Sequence, residues 1–322
     1  MRKFLGVLAV AGLAVAACGG GSAGEESGTS NGADNGGGRI ELQDATGTVY
    51  LDEPADDVVA LEWSYVEDLL ALGVTPVGVA DIEGYHTWVT AGDRVPEDVV
   101  DVGTRQEPSI EQIRTLEPDL IITDVDRGNL DQLREIAPVL AFNLYDDSAT
   151  QLENMRSAFT TIAAAVGRED EATAVLEQLD QTIEDVRGRL EDAGLSGARY
   201  AIAQGFTYEN VPTMRLFTDE ALVAQVLNEA GLVNAWTGEP DDYGMTTVGV
   251  EALTQVSDAN FLYVAQNEDN IYTGALADNP VWTNLDFVRE NRVYPLDPGT
   301  WFFGGPLSCV QLLEETAAAL GA

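Results

Sequence analysis

A long helical stretch, residues 149–193, lies between two segments in which short strands and helices alternate, and this arrangement constrains the fold more than any other feature. Leu152, Met155, Phe159, Ile162 and Val166 recur at spacings of three and four, and after Gly167 the series resumes at Ala172, Val175, Leu179, Ile183, Val186 and Leu190. The second part alone, about 24 residues, makes a rod of roughly 36 Å. Its apolar stripe lasts only three heptads, which favours packing across the segments on either side over coiled-coil dimerisation.

On the N-terminal side, Ile40, Leu42, Val49 and Leu51 alternate around Asp44-Ala45-Thr46-Gly47, the pattern of a small hairpin. Apolar strands then follow at 58–61, 77–80, 120–123 and 139–142, alternating with helical patterns at 66–72, 110–116 and 130–136. The C-terminal side repeats this with strands at 200–203 and 261–264 and a helix at 220–230 ended by Gly231. Such alternation indicates parallel α/β layering. The predicted fold class is α/β: two parallel-sheet lobes, 39–147 and 194–322, joined by one long helix over 148–193.

The start of the chain fixes topology. Arg2 and Lys3 form a positive segment, Phe4 to Val15 an apolar core, and Val15-Ala16-Ala17-Cys18 the small-residue cleavage box of a lipoprotein signal. The apolar run is too short to remain as a membrane span. The expectation is a signal peptide at 1–17, a lipidated Cys18, and a flexible tether over 18–38 with a reach of roughly 25 Å, holding the protein on the outer face of the cell membrane. Cys309 is the only other cysteine, so lipidation of Cys18 leaves no pair for an intramolecular disulfide.

Charge narrows the partners. The formal charge is −39, and Arg2 and Lys3 leave with the signal, so the mature chain sets 14 arginines and no lysine against 55 acidic residues. A surface of that sign repels nucleic acid and anionic lipid. It suits a soluble monomer in a salty medium, where screening shortens the self-repulsion.

Little in the sequence supports catalysis or direct metal binding. His86 is the only histidine, and the two cysteines are far apart. Acidic pairs such as Asp241-Asp242 and Asp124 with Asp126 read as solvated surface in so acidic a chain. No nucleophile elbow, P-loop or dinucleotide fingerprint occurs, and Ser308 beside Cys309 has no neighbouring base. The chain is expected not to be an enzyme; a tethered extracellular hydrolase would need a nucleophile and base that the sequence does not offer. The candidate binding groups are aromatics in polar or Gly/Pro-flanked stretches: Tyr85, Trp88, Tyr243, Trp301, Phe302 and Phe303. Arg105 is the notable cation, with Asp101 or Glu107 as a surface partner. One echo joins the halves, since Ser109-Ile110-Glu111 and Gly249-Val250-Glu251 each open a helix with a glutamate ahead of a buried strand. The helix dipole alone favours such glutamates, and their equivalent placement also suits a paired docking contact.

Val59-Ala60-Leu61-Glu62-Trp63, Leu69-Leu70-Ala71-Leu72-Gly73, Gly78-Val79-Ala80-Asp81, Asp101 to Pro108, Asn234-Ala235-Trp236 and Trp301-Phe302 stand in an order that resembles the ferric-hydroxamate-binding and related iron-siderophore-binding proteins of ABC importers. The resemblance covers nearly all of residues 45–320. It implies the class III periplasmic-binding-protein architecture with a rigid interlobe helix, a shallow cleft, and delivery of ferric siderophore to an ABC permease. By this resemblance Arg105 would hydrogen-bond iron-bound hydroxamate oxygens, and Trp88 and Trp301 would line the cleft. Tyr243 stands where the family has tryptophan and Phe303 where it has tyrosine. Arg127 takes the place of an expected tyrosine. Glu111 and Glu251 resemble the glutamates, one per lobe, that meet permease arginines.

A siderophore encloses iron in its own oxygens, so its carrier needs donors and apolar walls, with no cofactor and no protein metal ligands. With only Arg105, Arg127 and Arg94 placed to offset a triply negative catecholate, a neutral or cationic hydroxamate complex fits better, since each uncompensated charge pair costs on the order of 4 kcal/mol near a surface. The rival of the same architecture is a haem or cobalamin carrier with Tyr85, His86 or Tyr243 as axial ligand.

Overall fold

The computed structural model describes residues 39–322; the expected signal peptide at 1–17, Cys18 and the tether at 18–38 lie outside the described residues. The first lobe opens with the antiparallel hairpin β1 (Ile40–Asp44) and β2 (Gly47–Leu51). It continues as β3 (Val58–Ala60), α1 (Trp63–Ala71), β4 (Gly78–Val79), α2 (Ile82–Trp88), β5 (Val100–Asp101), α3 (Ile110–Thr115), β6 (Leu120–Asp124), α4 (Leu130–Arg134) and β7 (Val139–Phe142). These five later strands form a parallel sheet in the order β5-β4-β3-β6-β7. The chain builds outward from β3 on one side, then crosses back to build outward from β6 on the other. Loops leaving β3 and β6 therefore diverge, and their carboxyl ends open the crevice where ligands collect in such sheets.

The interlobe segment is two helices, α5 (Gln151–Val166) and α6 (Glu169–Asp192), which corrects the expected single helix. Gly167 sits at φ 65°, a left-handed C-cap that stops α5 and reverses the chain. A capping box between Thr150 and Glu153 starts α5. Each helix crosses both lobes. Leu152 and Met155 of α5 belong to the second lobe's core, whereas Phe159, Ile162 and Val166 belong to the first's. In α6, Ala172 packs in the first lobe and Leu179, Ile183, Val186 and Leu190 in the second. This shared burial fixes the lobes to one helical spine.

The second lobe comprises β8 (Arg199–Tyr208), β9 (Val211–Phe217), α7 (Leu222–Glu229), β10 (Val233–Asn234), β11 (Met245–Val248), β12 (Asn260–Val264), α8 (Pro280–Thr283), α9 (Asp286–Arg289), β13 (Val293–Pro295) and α10 (Pro306–Leu320). Its sheet runs β11-β9-β8-β12-β13, with β10 also pairing β8. The sheet is mixed rather than parallel, because β8 and β9 form an antiparallel hairpin and β11 pairs antiparallel with β9. The hairpin turns at Glu209 and Asn210, both at positive φ (48° and 64°), as a tight two-residue turn requires. No helix among the described residues is long and apolar enough to cross a membrane.

Candidate functional site

The first-lobe wall of the cleft is built at the crevice between β3 and β6. Glu62 and Trp63 follow β3 directly, and both are buried, at 7% and 4% exposure. Arg105 arrives from the loop after β5. That loop is tight: Gly103, at φ 101°, donates its N–H to Asp101 Oδ1 at 2.8 Å, and Ser109 N–H donates to the Val102 carbonyl at 2.6 Å. Arg105 Nη1 donates to Glu62 Oε2 at 2.9 Å, and its guanidinium lies 3.8 Å from the centre of the Trp63 ring. The partner of Arg105 is therefore the buried Glu62, a correction of the surface partners Asp101 and Glu107; Asp101 is spent holding the loop.

Arg127, from the turn after β6, also pairs with Glu62 and reaches Asp124 Oδ2 at 3.3 Å. Tyr65 Oη donates to Asp124 Oδ1 at 2.7 Å. Burial pushes the Asp124 carboxyl up to about 6, against the opposing pull of Tyr65 and Arg105. Burial lowers both arginines as well, yet guanidinium basicity is high enough that they remain cations. Glu62 thus pairs with and orients two guanidiniums at once, offsetting one of their two charges. Losing Glu62 itself would be costly, because the two guanidiniums left behind are desolvated, whereas losing one arginine leaves Glu62 paired with the other.

The opposing wall comes from the β8–β9 hairpin. Gln204 and Arg215 face each other in register, and Arg215 Nη1 donates to Gln204 Oε1 at 3.1 Å. The Arg215 guanidinium lies 5.0 Å from the Phe206 ring centre. Trp301, in the segment before α10, closes the end. Its ring centre is 5.2 Å from that of Trp63 and 6.3 Å from that of Trp88. Trp63, Trp88, Arg105, Gln204, Phe206, Arg215 and Trp301 together line an open cavity of about 320 Å³, within the size range of small-ligand sites.

The expected site residues divide between the cleft and the core. Arg105, Trp88 and Trp301 share the cavity, and Arg127 stands behind it on Glu62. Tyr85 does not line the cleft: it is 1% exposed, because α2 turns its apolar face into the first lobe and carries Tyr85 with it. Phe302 is likewise core, 2% exposed and edge-on to Phe217 at 5.2 Å. Phe303 is part-buried against a narrow hollow shared with Tyr145, Met155 and Leu222. Tyr243 is half-exposed and lies 4.7 Å from Tyr145. It lines a separate acidic cavity of about 500 Å³ with Asp126, Asp146 and Asp241. Arg94 is exposed and outside the Arg105 cavity. Glu111 and Glu251 are both exposed, in the first turns of α3 and of the 3₁₀ helix Val250–Val256.

Sequence reasoning missed Glu62, Trp63, Gln204, Phe206 and Arg215 as site residues. The position of Glu62-Trp63 at the end of an apolar strand was a usable signal. Arg215 had none without the hairpin that presents it.

A family model described as Periplasmic binding protein matches residues 58–300. The chain belongs to this family. Among the family's curated proteins, it is 32% identical over 265 residues to the iron(3+)-hydroxamate-binding protein FhuD of Escherichia coli (strain K12), covering 82% of this chain and 86% of that one. It is 30% identical over 299 residues to the Fe(3+)-citrate-binding protein YfmC of Bacillus subtilis (strain 168), covering 92% and 89%. Among solved structures, the Fe3+-Desferal-bound siderophore-binding protein FhuD from Vibrio cholerae superposes with a TM-score of 0.75 at 28% identity, covering 83% of this chain and 98% of that one.

Proposed function

We propose that this chain is the substrate-binding component of an ABC importer and captures a ferric siderophore, of hydroxamate type, in the cleft between its lobes. The observation that carries the reading is Arg105, held by Glu62 and laid on Trp63, lining an open cavity together with Trp88 and Trp301. A guanidinium so fixed can donate to the oxygen face of a wrapped iron, and the flat rings can cover the linkers. A charge-assisted hydrogen bond of this kind contributes about 1.5 to 3 kcal/mol. Each ring burying around 100 Å² adds at most about 2.5 kcal/mol before the costs of association.

The haem or cobalamin reading has less support. Its axial candidates are the core residue Tyr85, His86, and Tyr243 in the separate acidic cavity, and none of the three lines the Arg105 cavity. Two further assignments complete the proposal: Cys18 carries the lipid anchor on the outer face of the membrane, and Glu111 and Glu251 meet cations of the permease. Replacing both glutamates with alanine then leaves ligand affinity unchanged and removes stimulation of the importer's ATPase; retained stimulation would refute that docking role.

Tryptophan fluorescence tests the ligand. Three of the five tryptophans, Trp63, Trp88 and Trp301, line the cavity. Ferric hydroxamates at low micromolar concentration or below are expected to quench roughly half of the emission, and ferric catecholates much less. Equal or reversed preference would overturn the hydroxamate assignment.

A further inference from the structure

The junction between the lobes holds two carboxyl groups but donors for only one. Glu67 and Asp68 are neighbours on α1, 1% and 2% exposed. Both face the start of α10 in the second lobe: a Cβ on Gly305 would collide with Asp68 Oδ1 and lie 3.2 Å from Glu67 Oε1. Their surroundings differ. Glu67 accepts the Ser308 N–H at 2.8 Å, the Ser308 hydroxyl, and backbone donors from Gly305 and Leu307. Asp68 Oδ1 is buried with no hydrogen-bond partner, and neither carboxyl belongs to an ion pair among the described residues. The other titratable groups around the pair are Tyr65 on α1, Tyr85 on α2, Asp93 in the loop after α2, and Cys309 on α10, whose thiol also feels the Arg156 guanidinium of α5. The charge that acts on Asp68 is that of Glu67, an anion. A buried carboxylate without a partner is far costlier than the neutral acid, and a second anion beside it raises the cost again. Burial first, and then the Glu67 charge, push the Asp68 carboxyl well above the usual carboxylate range. With the donors all on Glu67, the pair carries one charge there and one proton on Asp68.

We infer that Asp68 is a buried proton-binding site that latches the two lobes at the α1–α10 junction, so that the junction tightens in mild acid and loosens as pH rises. The sign follows from linkage. When α10 parts from α1, or the chain unfolds, Asp68 meets water and returns to its ordinary value of about 4. Between that value and the raised one, the closed junction holds a proton that the open one has lost, and the opening equilibrium gains up to about tenfold per pH unit. Below about pH 4 both states hold the proton, and above the raised value neither does, so the dependence ends on both sides. Burial raises Glu67 as well, against the pull of its donors, and its contribution has the same sign. The latch adjoins the cleft, because Ser64 of α1 donates to the Phe303 carbonyl at 2.6 Å and so ties down the segment that carries Trp301 into the cavity. Proton binding at Asp68 thereby reaches the cleft wall from behind, without contact with ligand.

The test compares full-length mature protein, wild type and Asp68→Asn, by infrared spectroscopy, thermal unfolding and amide hydrogen exchange between about pH 5 and about pH 9. At about pH 8, where solvated carboxyls are ionised, wild type is expected to retain the carbonyl stretch of one protonated carboxyl group, and Asp68→Asn to lack it. The buried amide of the variant adds the same offset to stability at every pH, whereas wild type weakens as pH rises, so the difference in melting temperature shifts steadily in favour of the variant. Exchange over residues 305–309, corrected for its intrinsic pH dependence, is expected to speed up by at least about tenfold across this range in wild type and to stay within about twofold in the variant. A band that survives Asp68→Asn, a stability difference that does not move with pH, or the absence of the band from wild type overturns the inference. Should Asp68→Asn fail to fold, wild type decides alone: lack of the band, or of the acceleration at residues 305–309, overturns it. No ligand enters these measurements, so their failure leaves the ferric-chelate reading intact.

Discussion

Arg105→Ala lowers affinity for a ferric hydroxamate by about tenfold to a hundredfold while moving the melting temperature by no more than about 3 °C. The affinity figure follows from losing a charge-assisted hydrogen bond of about 1.5 to 3 kcal/mol. The small thermal effect follows from geometry. Glu62, the buried partner of Arg105, still pairs with Arg127, so the substitution strands no carboxylate. Arg105→Lys recovers only part of the affinity, since an ammonium cannot both lie flat on Trp63 and fork toward ligand oxygens. Calorimetric titration together with thermal unfolding decides this. Unchanged affinity in Arg105→Ala would remove Arg105 from the binding machinery.

The largest effect on stability is expected from Glu67→Ala. Glu67 of α1 is 1% exposed and reaches from the first lobe to the N-terminus of α10 in the second. It accepts the Ser308 N–H at 2.8 Å and the Ser308 hydroxyl, and it takes backbone donors from Gly305 and Leu307. Burial raises the Glu67 carboxyl, and these donors work against that rise. The first turn of α10 has no side-chain cap of its own, so a carboxylate from another element satisfies donors that would otherwise be orphaned, where the helix dipole favours negative charge. Gly304 and Gly305 permit the approach, because a Cβ at either would collide with Glu67, Asp68 or Ser308. Removing the carboxylate loses a cap and leaves buried donors unpaired, about 3 kcal/mol together. That corresponds to a fall of roughly 6 to 12 °C in melting temperature. Glu67→Gln keeps an acceptor and is expected to lose less. A shift below about 1 °C in Glu67→Ala would show that α10 does not depend on this cap.

How much of this was legible in the sequence depended on what each element buries. The first-lobe strands Leu120–Asp124 and Val139–Phe142 are almost wholly buried and read as continuous apolar runs, as parallel strands covered on both faces do. The helical stripe of α5 and α6 was equally plain, and Gly167 marked the break that makes it two helices. The β8–β9 hairpin was hidden, since Pro212 and Arg215 interrupt its apolar pattern and Glu209-Asn210 is an uncommon turn pair. The same concealment kept Arg215 out of the predicted site. Tyr85 and Trp88 read alike as loop aromatics, yet both lie on α2, three residues apart: Tyr85 is buried in the first-lobe core, and Trp88 lines the cleft. In Trp301-Phe302-Phe303, the middle ring is buried and the outer two are only partly so, a division that depends on the anchoring of α10 and not on composition. Arg105 was legible as a candidate from its loop motif, but its partner Glu62 lies 43 residues away in sequence, beyond any local pattern.

Iron K-edge X-ray absorption on the protein loaded with a ferric hydroxamate tests the central claim most directly, because it reports the metal's own ligands. The expected spectrum shows the oxygen shell of the free chelate, undisturbed, with the protein gripping only the wrapping. A histidine nitrogen or a protein carboxylate in that shell, with chelate oxygens displaced, would contradict the account.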